Sequence, residues 1–116
     1  MTVRTNGAEI KAFYSDKAFW PEDGEGRNLV WQDELTLITN GFEDLNPSIS
    51  NLKDTDQVKI TYGDVFTGEN TFLATVEDYF KRWKKTQTHT PVLVSVPNEH
   101  LEAVKAAVVA AGGELA

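Results

Sequence analysis

The chain has few side chains of the kinds that perform acid–base or covalent chemistry near neutral pH. Its two histidines are His89, in a threonine-rich stretch, and His100, near the start of a predicted helix. Histidine is the usual general base at this pH, but an active site also needs a nucleophile and a group that orients the base. Neither histidine is accompanied in the sequence by such a spacing. We therefore interpret both as surface residues and expect no catalytic residue, so the protein is predicted not to be an enzyme.

Ligands for a metal or a cofactor are also not apparent. The chain contains no cysteine, which excludes disulfides, thiolate catalysis and thiolate metal sites. Asp54-Thr55-Asp56 and Glu22-Asp23-Gly24-Glu25 offer carboxylate oxygens, but neither has the spacing of the familiar calcium loop. The glycines at 24 and 26 stand among acids that repel phosphate, so nucleotide binding is not expected. We expect no metal and no cofactor.

One stretch combines aromatic and basic residues. Phe80-Lys81-Arg82-Trp83-Lys84-Lys85 has the composition of a surface on which nucleic-acid bases stack. At helical spacing, however, Phe80 and Trp83 lie on the apolar stripe, and the bases lie at the negative end of the helix dipole. The formal net charge of −7 also opposes binding to phosphate backbones or anionic lipid. We expect a structural role for this stretch, with no direct nucleic-acid binding and no membrane binding.

The acidic residues are concentrated in one part of the chain. Residues 16–56 contain ten acids and three bases, so this segment carries the same net charge as the whole chain. Its simplest interpretation is a solvated surface that keeps the protein soluble. The sharper interpretation is a surface that complements a basic groove on another molecule and steers association with it. Aromatic residues beside the acids would supply anchors of the type that dominate interface energetics.

These features predict a small, acidic, non-enzymatic protein that binds and occludes a basic surface of a macromolecular partner. A nucleic-acid-binding protein is one such partner, and the acids would then act as a nucleic-acid mimic. Inhibitors and adaptors of this kind are typical accessory proteins of phages and mobile elements. The predicted partner-binding residues are Trp20, Glu22, Asp23, Glu25, Trp31, Asp33, Glu34, Phe42, Glu43 and Asp44.

Two other functions stay open. The first alternative is a regulatory or small-ligand-binding α+β module, which a compact apolar pocket with a few polar groups would favour. Such a module could form a homodimer through a sheet edge or through the alanine-rich helix. The alanines of that helix are Ala103, Ala106, Ala107 and Ala110. A small hydrolase that uses carboxylates is the third hypothesis, although a chain of 116 residues leaves little room for a substrate cleft.

The hydrophobic pattern predicts a single α+β domain over residues 1–116, a mixed sheet of about four strands with two helices packed on one face. Residues 9–14 alternate as a first strand would, and residues 28–39 form a second strand or bent pair. Asp33 falls on the apolar face of that strand, so we expect a bulge or tight turn there to rotate it outward; the alternative is that it stays in this face as a functional carboxylate. Residues 57–62 alternate again, with Tyr62 facing inward.

The last third of the chain is predicted to organise the fold. A helix from Thr71 or Thr75 to Lys85 is followed by an apolar run, residues 92–96, that reads as a buried strand. A second helix then ends at Gly112-Gly113. This β-α-β-α order favours a right-handed crossover between parallel strands. No apolar run approaches the roughly 20 residues of a spanning helix, and the first residues lack a signal-peptide core, so we expect a cytoplasmic protein.

Overall fold

The computed structural model describes residues 3–115 and has an α+β fold, which confirms the predicted class. Within these residues an antiparallel sheet of five strands is combined with three helices. Short 3-10 turns lie at Ile49–Asn51 and Asn98–His100. In chain order the elements are β1 (Val3–Asn6), α1 (Gly7–Ser15), β2 (Val30–Thr39), β3 (Phe42–Leu45), β4 (Gln57–Thr67), β5 (Thr71–Thr75), α2 (Val76–Thr88) and α3 (Leu101–Ala110).

The sheet is built around β4, which pairs along both of its sides. On one side it pairs with β2 over most of its length. On the other side β1 pairs with residues 57–60 and β5 with residues 64–67. β3 pairs with β2, which gives the strand order β1-β4-β2-β3 with β5 also beside β4. The pairings among the described strands are all antiparallel, so the predicted mixed sheet with a parallel crossover is wrong.

The hydrophobic core lies between one face of this sheet and the helices α1 and α2. Phe13 of α1 is fully buried at its centre. Aromatic rings surround Phe13 at centroid distances of 4.8 to 6.4 Å, and most of them meet it edge to face, the geometry that aromatic pairs prefer. These rings belong to Tyr14, Phe19, Trp20, Tyr79, Phe80 and Trp83. The buried aliphatic residues include Ile10, Leu35, Leu37, Val58, Ile60, Val65 and Val76.

The predicted strand at residues 9–14 is wrong, because these residues lie in α1. Asn6 caps this helix, since its side-chain oxygen accepts a hydrogen bond of 2.9 Å from the backbone N–H of Glu9. Ile10 and Phe13, three residues apart, form its buried stripe. Gly7 is required at the start of α1, because a Cβ atom there would lie 1.8 Å from the carbonyl oxygen of Lys53. A window of six residues fits the two-residue period of a strand as well as the 3.6-residue period of a helix. The cap at Asn6 is the signal that distinguishes the two.

The predicted buried strand at residues 92–96 is also wrong. These residues form a segment without regular secondary structure that pairs with none of the described strands, and all of them except the half-buried Val96 are exposed. The predicted helix after it exists as α3, and Gly112-Gly113 ends it through backbone hydrogen bonds to Val109 and Val108. No residue of α3 is buried within the described chain. Residues 91–113 therefore do not organise the fold, and β4 does.

Other local predictions are confirmed. Residues 57–62 are a strand, which continues to Thr67, and α2 begins after Thr75, whose hydroxyl accepts a hydrogen bond of 3.2 Å from the N–H of Asp78. A bulge interrupts β2 after Asp33, where Glu34 has a φ of 57° and Asp33 becomes exposed. The bulge therefore turns the apolar run of β2 inward at Leu35.

The central position of Phe13 predicts that its truncation is severe. We expect Phe13→Ala to lower the free energy of unfolding by about 3–5 kcal/mol, because the cavity leaves the surrounding rings without contacts. Phe42→Ala is the matched control, since that ring is 78% exposed, and it should cost less than about 0.5 kcal/mol. Urea unfolding of the two variants measures the difference. Equal losses would contradict a core centred on Phe13.

Candidate functional site

The loop that carries the predicted carboxylates Glu22, Asp23 and Glu25 is largely neutralised by its own bases. Lys17 Nζ lies 3.0 Å from a carboxylate oxygen of Glu22. Arg27 contacts both other acids, with Nε 2.7 Å from Asp23 and Nη2 3.1 Å from Glu25. A carboxylate already paired with a base offers less to a basic partner. This loop is therefore a weaker candidate than its composition indicated.

Asp23 organises the loop through hydrogen bonds as well as charge. Its carboxylate accepts hydrogen bonds of 2.9 and 2.8 Å from the backbone N–H groups of Arg27 and Glu25, and one of 2.7 Å from the Arg27 side chain. These bonds, led by that of the Arg27 N–H, hold the pKa of Asp23 below its ordinary value. Asp23 therefore has a structural explanation that requires no partner.

Trp20 lies against the core rather than on the open surface. Its ring stacks on Tyr14 at a centroid distance of 4.9 Å and meets Tyr79 edge to face at 5.3 Å. The neighbouring turn is fixed by Asp16, whose carboxylate accepts hydrogen bonds from the indole N–H of Trp83 (3.0 Å) and from the N–H of Ala18 (2.9 Å). Trp20 thus attaches the acidic loop to the core, and its predicted contact with a partner stays a prediction.

The remaining predicted residues lie on β2 and β3, where the sheet has one uncovered face. Cross-strand partners in an antiparallel sheet point to the same face. Helices α1 and α2 cover the face that carries Leu37 and Ile60, and the residues between these positions point the other way. We call this second side the open face. Its cross-strand rows are Trp31–Phe66–Phe72, Asp33–Asp64, Leu45–Thr36–Tyr62 and Glu43–Ile38–Lys59–Arg4.

The first row of the open face is aromatic. Trp31 stacks on Phe66 with ring centroids 4.7 Å apart and an interplanar angle of 23°. Phe72 meets Phe66 edge to face at 6.1 Å and is more than half exposed. The indole N–H of Trp31 donates a hydrogen bond of 3.2 Å to the carbonyl of Gly68, which holds the ring flat on the sheet. An ordered aromatic surface results, and solvent reaches part of it.

The second row places two carboxylates directly opposite one another. Asp33 on β2 pairs in register with Asp64 on β4, two residues along each strand from the stacked Trp31–Phe66 pair. No base lies within ion-pair distance of either aspartate among the described residues. Like charges at opposed positions destabilise a sheet. This arrangement is unfavourable for the isolated protein and favourable for a cation placed between the two carboxylates.

The far edge of the open face carries the last predicted acids. Glu43 lies opposite Ile38 in this face, whereas Asp44 lies opposite Leu37 on the helix side, where Phe42 also points. Glu34 occupies the bulge between the rows. None of these three acids has an ion-pair partner among residues 3–115. The structure therefore brings Trp31, Asp33 and Glu43 onto one face and separates Asp44 and Phe42 from them.

The sequence analysis missed Asp64, Phe66, Phe72 and Tyr62 as members of this surface. Simple alternation from Val58 places Tyr62 inward, and beyond Gly63-Asp64 the sequence predicts either the end of the strand or an irregular continuation through Val65-Phe66. A bulge on β4 instead puts Tyr62 on the open face, because adjacent residues of β2, Thr36 and Leu37, pair with residues two apart, Tyr62 and Ile60. Beyond this bulge the buried residues of β4 are the odd-numbered ones, Gly63 and Val65. In the sequence, a second alternating run from Gly63 to Thr67 indicates this change of face.

Other candidates are not brought together into a site. His89 contacts Glu114 at 3.3 Å and His100 lies beside Glu99, far along the chain from the open face. No group of three or more metal-ligating side chains occurs within the described residues. Two open depressions, with volumes of about 300 and 340 Å³, lie beside Trp20 and beside Tyr62. They are at the lower limit for ligand pockets, which does not favour the small-ligand alternative.

No helix within residues 3–115 is long and apolar enough to cross a membrane. Comparison with family models, with curated proteins and with solved structures gave no match for this chain.

The contacts of Asp23 predict a specific pH dependence. A carboxyl whose pKa is lowered on folding stabilises the protein above its unfolded pKa, and this contribution is lost as the pH falls through the folded pKa. We expect the NMR titration of the Asp23 carboxyl to have a midpoint below the ordinary value of about 3.9. Arg27→Gln should raise this midpoint only in part, because the backbone N–H groups remain. A midpoint at or above the ordinary value in the unmodified protein would contradict the described loop.

Proposed function

We propose that this protein is a non-enzymatic binding protein whose open face engages a basic surface of a protein partner. The observation that carries the proposal is the stacked Trp31–Phe66 pair beside two opposed carboxylates, Asp33 and Asp64, that no base neutralises in the described chain. Both halves of this site attract the same chemical group. A cation is the ligand that the two rows have in common.

The cation that fits these rows best is an arginine side chain. A guanidinium is planar, stacks on aromatic faces and forms paired hydrogen bonds with carboxylates, whereas an ammonium does so less well. Cβ atoms of opposed residues in an antiparallel pair lie about 4.5–5.5 Å apart, so one guanidinium can contact both Asp33 and Asp64. Its flat face can then approach the neighbouring ring of Phe66 or Trp31.

The net charge supports the same partner class. A chain of formal charge −7 attracts basic proteins over a distance and raises their rate of association. A nucleic-acid-binding protein has such a basic surface, and the open face would occlude it as a mimic of the phosphate backbone. We accordingly propose an inhibitor or adaptor of the kind that phages and mobile elements encode, with the cytoplasm as its expected compartment.

Binding of a defined basic probe tests the proposal. A fluorescently labelled arginine-rich peptide should bind the protein with an affinity that falls as the salt concentration rises. Asp33→Asn combined with Asp64→Asn should weaken binding about tenfold, which corresponds to about 1.4 kcal/mol. Trp31→Ala should weaken it by a similar factor. Fluorescence anisotropy of the peptide measures all three effects, and a lysine-rich peptide should bind less tightly than the arginine-rich one.

The loop provides a matched control for this experiment. Glu22→Gln combined with Glu25→Gln changes the net charge by the same amount, but those carboxylates are already paired with Lys17 and Arg27. We expect this double variant to lose less than about a third of the binding free energy that Asp33→Asn combined with Asp64→Asn loses. The difference between the two losses is the part that is specific to the open face. Equal losses in the two double variants, or binding that does not respond to salt, would exclude the open face as the binding site.

The opposed aspartates also predict a conflict between stability and binding. Because like charges at paired positions destabilise a sheet, Asp33→Asn should increase the free energy of unfolding by a few tenths of a kcal/mol up to about 1 kcal/mol. The same substitution should weaken binding of the arginine-rich peptide. Urea unfolding at low and high salt measures the first effect, which screening should reduce. A destabilised Asp33→Asn variant would show that the carboxylate has a structural partner after all.

A further inference from the structure

The part of the chain that follows α2 has an apolar surface that the rest of the molecule leaves uncovered. We call residues 90–115 the C-terminal arm. Its helix α3 is apolar apart from Glu102 and Lys105, yet none of its residues is buried within the described chain. A helix of this composition normally lies in a protein interior. At ten residues, α3 is also too short to be stable in water without packing against something.

The segment before α3, residues 92–96, also exposes apolar side chains. Val92 is 77% exposed and Leu93 is 99% exposed. Backbone groups of residues 92–96 form no backbone hydrogen bond within the described chain. The run is uncharged and rich in β-branched residues, which suit a strand and favour pairing with another strand. It has the character of a strand whose partner is absent from the single chain.

The arm is held to the domain mainly at its two ends. It leaves α2 at His89 and returns at Glu114, whose carboxylate lies 2.5 Å from Lys85 Nζ and 3.3 Å from His89 Nε2. The radius of gyration is 17.8 Å, whereas a compact chain of this length has about 13 Å. The arm therefore projects from the body of the domain, and its apolar side chains at Val92, Leu93 and Val94 are exposed.

We propose that the arm is a dimerisation element, in which Val92–Val96 pairs antiparallel with the same segment of a second copy. The segment is self-complementary about Val94. In a pair centred there, Val92 faces Val96 of the second copy, Val94 faces its own equivalent, and Leu93 faces Ser95. Pro91 and Pro97 bound the run, and because proline cannot donate to a ladder they stop the pairing from extending further. The contact is isologous and closes on itself as a two-fold dimer.

The helices complete this interface. A two-stranded ribbon alone is marginally stable and needs an apolar cover. Val96, Val104 and Val108 are the half-buried apolar residues of the arm, so we place α3 against the face of the proposed ribbon that carries Val92, Val94 and Val96. A standard interface uses about 20–30 residues from each partner. Residues 90–115 number 26, so most of the arm has to take part in the proposed contact.

A second copy fits the arm better than the other possible occupants. A basic protein would be drawn to the open face, where the unpaired carboxylates lie, rather than to an arm with few charges. An anionic membrane requires Lys and Arg beside the apolar surface, and the arm has the single base Lys105 together with Glu99, Glu102 and Glu114. The proposed dimer contact uses none of the residues of the open face. A failure of the dimer would therefore leave the proposed function untouched.

Cross-linking through a single introduced cysteine tests both the dimer and its register. The chain has no cysteine, so a disulfide in Val94→Cys can form only between two copies. The Cα atoms of the centred pair would lie about 4.5–5.5 Å apart, within disulfide range. We expect mild oxidation to convert most of this variant into a covalent dimer. Val92→Cys is the matched control, because its equivalents would lie about 13 Å apart and should cross-link poorly.

Sedimentation equilibrium of the unmodified full chain gives the second readout. We expect a mass of twice 12.9 kDa at micromolar concentration. Val94→Lys should raise the dimer dissociation constant more than tenfold, because two ammonium groups would meet at the two-fold axis. Its core should melt as a folded domain, since Val94 contacts none of the core. A monomer at all concentrations, equal cross-linking of the two cysteine variants, or an unchanged dimer in Val94→Lys would each overturn the proposal.

Discussion

The structure depends on one constraint. Strand β4 must form backbone hydrogen bonds with strands on both of its sides while it keeps a single apolar face toward α1 and α2. It meets this constraint by changing which residues point inward. Val58 and Ile60 are buried before the bulge and Val65 is buried after it. The bulge on β2 after Asp33 makes the same change at the same level of the sheet, so the two strands stay in register. Without the paired bulges, either Asp33 or Tyr62 would enter the core.

The same bulges decide which charges are available to a partner. They place Asp33 opposite Asp64 on the open face, where neither has a basic neighbour among the described residues. The carboxylates of the loop, by contrast, are bound by Lys17 and Arg27. The carboxylates of the loop and those of the open face therefore differ in their capacity to bind a basic partner. Only the carboxylates of the open face have no ion pair with a base of the described chain. Site-specific pairing, rather than the density of acids along the chain, selects the surface.

Local signals predicted those parts of the fold that are determined locally. The cap at Thr75 and the bulge after Asp33 each depend on residues close in sequence. The α+β class followed from the same patterns. Helix α1 was missed because a short window of alternating residues fits both a strand and a helix, and the cap at Asn6 was given no weight. The surface formed by Asp64 and Phe66 could not be predicted, since it needs the register between β2 and β4.

The run at residues 92–96 shows a different limit of sequence reasoning. Its valines have strand propensity, but propensity states a preference and does not supply a partner, and in the single chain this run pairs with none of the described strands. A preference left unsatisfied is informative in itself, because natural sequences tend to be locally consistent with their final structure. The proposed dimerisation through the arm would restore that consistency. It would also present two open faces on one particle, so that a partner with repeated basic surfaces gains affinity from linkage without any new contact.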